Sequence, residues 1–551
     1  MKIKWFILMF VIGLALVVVL APSQVATTQV NTGKGFSSIQ LNPDAEEALK
    51  AQGKKLPNPF PNSANRGKKF NPTGDAIPPL ITGATQNVLV LFVDFTTSPP
   101  GAPATRLNLA TYFDPMLFGT VYNPPEYAAI TPPVSYPTNR TLKNYYSEVS
   151  YGAVTVGTLN MPSAMGWAQS GHPYDYYCKA DGIHDNGFGS YPQNVQGLVI
   201  DAVNAVDSAV NFANYAVNGE VPNLFVVFAG TGAEWSGASN IIWSHSWDLT
   251  EGTGFNGIIR DGVKINNYAM MPEVGGDLTG FTGVMSGPFP PTVGVYAHEY
   301  GHVLGLPDQY DYGYESDGTD VYSLMAGGSW NRYPNYRIFA GNSPAHLDAW
   351  SKYRLGFVTP TTITSLSNLT LPPAETNPVA YKMVVPNSGG KEYFLFENRQ
   401  GIGFDQGLLR FGTHGLAIYH VDDTVFTRNY WRANEAENWK EFRSEGWRKA
   451  WTGETHYAIS LIQADDQWDL EHAAYWILSF GNSSLSGDLY PGSRGVTEFS
   501  SCTKPNSSNY YFWAGSDPKF GYSGVTVKNI AETGGNISAE FSFMPFNGCK
   551  K

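Results

Sequence analysis

The sequence predicts an α+β (α/β/α) unit followed by an all-β, sandwich-like unit, and two observations carry this. As far as about residue 358, strand-length apolar runs alternate with stretches of helical periodicity. Beyond Pro360 the pattern changes to short, often alternating segments separated by Gly, Asn and Ser, as in strands joined by turns. The divisions read as 1–26, 27–80, 81–358 and 359–551.

Lys2 and Lys4 precede the apolar run Trp5 to Ala21, and a basic start before an apolar core reads as a secretory signal, with an uncleaved anchor as the alternative. Residues 27–80 are rich in Pro, Asn, Gly and Lys, which suits a linker, with one helical candidate at Pro43 to Gln52. Val88 to Phe95 is an apolar run of strand length. Leu142 to Val149 and Val195 to Phe212 have helical periodicity, the second through Val199, Ala202, Val203, Val206 and Val210. Leu224 to Ala229 is a buried-strand candidate, and Ala345 to Tyr353 reads as the last helix of the first unit. Strands are then expected at Thr361 to Leu371, Glu392 to Glu397, Gly415 to Val421, Tyr457 to Ile462, Val525 to Ile530 and Ile537 to Phe543. A charged, Trp-rich insert from Arg428 to Glu454 interrupts them.

With 551 residues and 42% hydrophobic content, the chain is long enough for two or more cores. A net charge of −12 offers no basic field to neutralise phosphates, which argues against nucleic acid as a partner. Only 15% of residues are charged while Gly, Tyr and Pro are plentiful, as in loop-rich extracellular proteins. Of the three cysteines, Cys502 and Cys549 are close enough in the chain to pair, leaving Cys178 as a buried thiol. Asn139, Asn368, Asn482, Asn506 and Asn536 begin Asn-x-Ser/Thr sequons.

The most informative stretch is Thr292 to Asp311, TVGVYAHEYGHVLGLPDQYD. Gly305 followed by Pro307 is a helix stop, so His298, Glu299 and His302 lie on a helix as H-E-x-x-H. One helical turn separates the two imidazoles, which places both on one face and lets them hold a single divalent cation. A turn at Gly305 returns Asp308 toward the same cation, leaving a fourth position for water, with Glu315 as the reserve candidate for the third ligand. Glu299 leans toward the open position. Downstream, SLMAGGSW places Met325 in a small-residue turn, the second signature of metzincin-like zinc proteases.

The segments HEYGHVLGLPDQYD and SLMAGGSW resemble the immune inhibitor A family of secreted zinc metallopeptidases. NVLVLFVDF at Asn87, NYYSEVSYG at Asn144 and the stretch FAGTGAEWSG to IIWSHSW, from Phe228 to Trp247, agree with it in order. The resemblance implies a zincin-like catalytic domain that hydrolyses peptide bonds of extracellular proteins. His298, His302 and Asp308 would hold zinc, and Glu299 would act as general base. It also implies that 27–80 is a propeptide, with Asp75 or Asp44 as candidates to occupy the water position. Tyr310, Tyr312 and Tyr322 are candidates to stabilise the oxyanion.

His245, between Trp243 and Trp247, reads as a packed structural residue, with a cleft or metal role as the alternative. The acidic loop of Asp311, Glu315, Asp317 and Asp320 is either solvated or a calcium site. Protein or peptide substrates, a monomer and an extracellular location are expected, with no membrane contact beyond the N-terminal anchor. Two other readings stay open. One is a secreted surface-binding protein whose zinc site is structural or vestigial, and the other is a zinc hydrolase acting on another amide.

Overall fold

In the computed structural model the described residues are 36–57, 85–251, 253–314, 316–428, 433–434, 456–470, 485–510 and 522–544. The first unit is built on a six-stranded sheet in the order Ser37–Ser38, His245–Asp248, Asn267–Val274, Leu224–Thr231, Leu89–Asp94, Trp167–Gln169. The last four run parallel to one another, whereas His245–Asp248 is antiparallel to Asn267–Val274 and Ser37–Ser38 is antiparallel to His245–Asp248.

Alternation along the strands distributes side chains to two faces. Val90, Phe92, Phe225, Val227, Ala269 and Met271 pack with the helices Leu142–Val149 and Val293–Val303 through Tyr145, Tyr146, Tyr296 and Tyr300. Leu89, Leu91, Val93, Val226 and Phe228 face the other way, onto Leu198, Val199, Ala202 and Val203 of the helix Val195–Val206. The central strands are apolar throughout because both faces are covered.

The carboxyl-terminal part carries a five-stranded sheet (Thr361–Thr362, Tyr381–Val384, Glu392–Arg399, Gly415–Asp422, Ile459–Leu461) and a three-stranded one (Ser367–Leu371, Asn536–Phe543, Val525–Thr533). Met383, Phe394, Phe396 and Ile418 of the first share a cluster with Leu371, Val527, Ile537 and Phe541 of the second. The molecule is therefore mixed α/β with several sheets.

Several expectations need correction. The strand expected over Thr361 to Leu371 is two strands in different sheets. The carboxyl-terminal part is not purely β, since Gly403–Phe411 and Asp423–Arg428 are helical. The helix expected from Ala345 begins at Ala349, because the Asp348 carboxylate caps it by accepting from the amides of Trp350 and Ser351. The helix expected to reach Phe212 ends at Val206, and a separate short turn, Phe212–Tyr215, follows. The helical candidate near Pro43 is present as Pro43–Ala51, with Asn42 as its cap.

The two parts are joined by buried charge. Lys352 Nζ lies 3.3 Å from Glu397, and Arg399 holds Asp405 at 2.7 Å while donating to the Tyr322 carbonyl at 2.8 Å. Among the described residues no helix is long and apolar enough to cross a membrane. Cys502 is disulfide-bonded and Cys178 is a free, buried thiol. The leader 1–26, Asp75, Glu315, the insert from 429, Asn482 and Cys549 lie outside the described residues, apart from Ala433 and Asn434.

Candidate metal centre

The helix Val293–Val303 is buried over its whole length, which explains its apolar and small residues on every side. Two helical glycines, each costing about 1 kcal/mol relative to alanine, permit close approach of the loop beneath. A Cβ on Gly301 would fall 2.5 Å from the sulfur of Met325, and one on Gly294 would fall 2.1 Å from the Ser329 carbonyl oxygen. The methionine turn thus packs directly under the helix.

The helix ends in a Schellman arrangement. Leu306 N–H donates to the Gly301 carbonyl at 3.0 Å, Gly305 N–H donates to His302 at 2.9 Å, and Gly305 has φ 99°. This turn performs two tasks. It brings the Leu306 carbonyl back to His302 Nδ1 at 2.8 Å, and it sends the chain forward so that Asp308 returns to the histidines.

His298 Nε2 and His302 Nε2 lie 3.0 Å apart, and Asp308 Oδ1 lies 3.1 Å from the first and 3.2 Å from the second. All three residues are buried, with their candidate ligand atoms within 4.8 Å of one another. His298 Nδ1 faces the Leu324 carbonyl at 2.9 Å, as His302 Nδ1 faces that of Leu306. Since a carbonyl only accepts, both Nδ1 atoms carry a proton, and in the neutral ring Nε2 is the atom that presents its lone pair to the centre. Burial also pushes the His298 pKa down, favouring the neutral ring. Two lone pairs and a carboxylate oxygen facing one another repel unless a cation lies between them, so this donor set fits a divalent metal. Tyr312 donates from its hydroxyl to Asp308 Oδ2 at 2.6 Å, leaving Oδ1 for the centre.

Glu299 is fully buried beside this group, and its carboxyl pKa is raised well above the usual range, first by burial and then by the charges of Asp308 and Glu234. Its Oε1 accepts the Ile39 amide at 3.1 Å, while Oε2 has no hydrogen-bond partner among the described residues.

The chain segment over the centre was not apparent in the sequence. Ser37 and Ser38 pair with Ser246 and His245, adding a strand to the edge of the large sheet. Main-chain groups that follow are held by side chains: Trp243 Nε1 donates to the Ile39 carbonyl at 2.9 Å and Trp330 Nε1 to that of Gln40 at 3.0 Å. The Asn42 amide donates to the Glu234 carbonyl at 2.8 Å. The sequence signal available was slight, namely the alternation Ile39-Gln40-Leu41 just before the helix start at Asn42-Pro43.

Asp44 does not approach the centre as anticipated. It accepts from Arg332, whose guanidinium, with Arg337 and Arg410, outweighs burial and holds the carboxyl below its ordinary pKa. The His245 ring is packed and bonded, to the Trp243 carbonyl at 2.7 Å and to Tyr268 at 3.2 Å, and burial lowers its pKa to about 4. Tyr322 points elsewhere, to Thr413, the Leu485 carbonyl and Asp488. Among the described residues the acidic loop makes no converging group like that of His298, His302 and Asp308.

Residues 82–357 match the family model of the immune inhibitor A peptidase M6 catalytic domain. The chain is 35% identical over 213 residues to "Immune inhibitor A" of Bacillus thuringiensis subsp. alesti, covering 34% of this chain and 28% of that protein. It is 27% identical over 293 residues to "Pre-pro-metalloprotease PrtV" of Vibrio cholerae serotype O1 (strain M66-2), covering 49% of this chain and 29% of that protein. The matched stretches thus span less than a third of the length of either curated relative. With the family model covering five of the six strands of the large sheet, the helix of His298 and His302, and the methionine turn, the chain belongs to the immune inhibitor A family of M6 peptidases.

Proposed function

We propose that the chain is a secreted, zinc-dependent endopeptidase. The observation that carries this reading is the convergence of His298 Nε2, His302 Nε2 and Asp308 Oδ1 beside the buried carboxylate of Glu299. Those three residues would hold the zinc, which supplies Lewis acidity toward a carbonyl and acidifies water beside it. Glu299 takes a proton from the attacking water and delivers it to the leaving nitrogen. The water oxygen bonds to the carbonyl carbon, the C–N bond breaks, and a carboxylate and an amine are released. The buried position of Glu299 beside the three donors suits this exchange, because a carboxylate stripped of water is a stronger base. The two Nδ1 bonds and the Tyr312 bond fix the ligand orientations so that little rearrangement is needed.

The segment 36–57 is part of a propeptide that keeps the cleft latent, supported by its strand on the sheet edge and its bond to Glu299. The apolar run Trp5 to Ala21 supports export, and the cluster shared by two sheets supports a sandwich-like carboxyl-terminal domain. A monomer, and calcium in the acidic loop, complete the reading.

The test uses casein or a fluorogenic peptide, after limited proteolysis has removed the covering segment, with and without a zinc chelator. Zinc-restored hydrolysis is expected, with Glu299→Gln retaining metal but losing turnover and Asp308→Ala losing bound zinc. Chelator-insensitive cleavage, or full turnover by Glu299→Gln, would defeat the proposal. Zinc binding without peptide cleavage would favour the surface-binding or other-amide reading.

A further inference from the structure

Both polar groups of one peptide unit are committed to the centre. The Ser38 carbonyl accepts the hydroxyl of Tyr310, and the amide of the same unit, on Ile39, donates to Glu299 at 3.1 Å. On either side the main chain is gripped as an extended strand: Ser37 and Ser38 pair antiparallel with Ser246 and His245, and Trp243 and Trp330 donate to the carbonyls of Ile39 and Gln40. None of these contacts reads a side chain of the segment, so any extended peptide can make them.

Side chains are accommodated separately. Ile39 is fully buried within the large core cluster that contains Val295, Tyr296 and Met325. Leu41 is fully buried with Ala233, Ala238, Ile241 and Trp243. Phe36 lies on His245 with ring centroids 5.4 Å apart and meets Phe188 edge-on at 4.8 Å. Ser37, between them, is partly exposed.

We propose that the Ser38–Ile39 peptide unit occupies the place of the bond to be cut. Tyr310 is then the donor that stabilises the carbonyl oxygen as it gains charge. The cleft takes an extended chain with a branched aliphatic residue directly after that bond and a second aliphatic two residues further on. This rests on the peptidase reading and deepens it. Glu299 faces the nitrogen that must receive a proton, and Tyr310 faces the oxygen that must be stabilised; the O–H bond of Tyr310 stays intact throughout. Of the three candidate tyrosines, Tyr312 is engaged by Asp308 and Tyr322 by Asp488, which leaves Tyr310 on the segment's carbonyl.

Two arms test this in the full chain. In the kinetic arm, read in the Ile39→Pro background so that the segment does not fill the cleft, Tyr310→Phe should keep zinc content and KM while kcat falls about 100-fold, the loss found when one oxyanion donor is removed. In the binding arm, Ile39→Pro is combined with Glu299→Gln, so that the segment loses its amide bond and no turnover is required. Ile39→Asp, which places a charge in the apolar pocket, is the second variant should the first misfold.

A labelled Ser-Ser-Ile-Gln-Leu-Asn peptide should bind these variants at least tenfold more tightly than the same peptide with Asp for Ile. It should bind the parent Glu299→Gln chain at least tenfold more weakly, because there the cleft is filled. An unchanged kcat in Tyr310→Phe, or equal binding of the two peptides, would overturn the assignment. If the binding preference holds but no chain hydrolyses any peptide, the peptidase reading fails while the placement of the segment stands.

Discussion

The hydroxyl of Tyr312 donates to Asp308 Oδ2 at 2.6 Å, so the third candidate ligand is oriented by a residue one helical turn's distance along the chain from it. A carboxylate held at one oxygen can rotate less, and its other oxygen stays aimed between the two imidazoles. Tyr312→Phe should therefore weaken zinc binding about 10- to 100-fold with the fold intact. Competition with a chelator of known affinity reads this directly, and an unchanged zinc affinity would show that Asp308 is oriented by its own backbone.

Asp44 and Arg332 tether the segment that covers the centre. Both lie mostly buried, with the Asp44 side chain 15% exposed and that of Arg332 7% exposed. Asp44→Ala leaves Arg332 without its carboxylate partner and should loosen residues 36–42. The expected outcome is faster amide exchange at Ile39 and a several-fold rise in turnover of an external peptide before any processing. Exchange and activity both equal to the parent chain would show that the strand pairing suffices by itself.

Glu234 gives a pH prediction. Burial raises its pKa from 4.5 to about 7, partly offset by the hydroxyl and amide of Ser244. A raised folded-state value means that the protonated form is favoured in the fold. Its stabilising contribution is complete below about pH 4.5 and is lost as pH rises through about 7, a change of about 3 kcal/mol. Glu234→Gln cannot ionise and can still bond Ser244. Urea midpoints should match the parent near pH 4.5 and exceed it at pH 8, and parallel profiles at all pH values would refute the shift.

Arg399 is fully buried and bonds Asp405 through Nε at 2.7 Å and Nη2 at 2.8 Å. Because Nη1 also donates to the Tyr322 carbonyl, the residue fastens the carboxyl-terminal sheets to the loop that carries Met325. Arg399→Met would strand buried carboxylates and should cost about 3–5 kcal/mol in global stability. Denaturant unfolding followed by tryptophan fluorescence measures it. A cost below about 1 kcal/mol would mean that Lys352 alone compensates Glu397 and that Asp405 relaxes to another partner.

Local chemistry made much of the first unit legible. Val88 to Phe95 and Leu142 to Val149 were readable because a strand with both faces covered is apolar throughout, and a helix on one face of a sheet repeats at its own period. The convergence of His298, His302 and Asp308 was legible because their spacing is a local property of one helix and the turn that ends it. The strand His245–Asp248 was missed, since its four buried residues mix His, Ser, Trp and Asp and show no simple alternation.

Taken alone, the amino-acid order determined the helix, its stop at Gly305 and the residue types able to bind a cation, because each depends on neighbours within one or two turns. Tertiary structure alone decided what lies over them. The Ile39 amide meets Glu299 across 260 positions, and Tyr310 finds the Ser38 carbonyl across 272. Main-chain groups carry no sequence signature of their own, so only the folding of the edge strand against the segment brings these partners together.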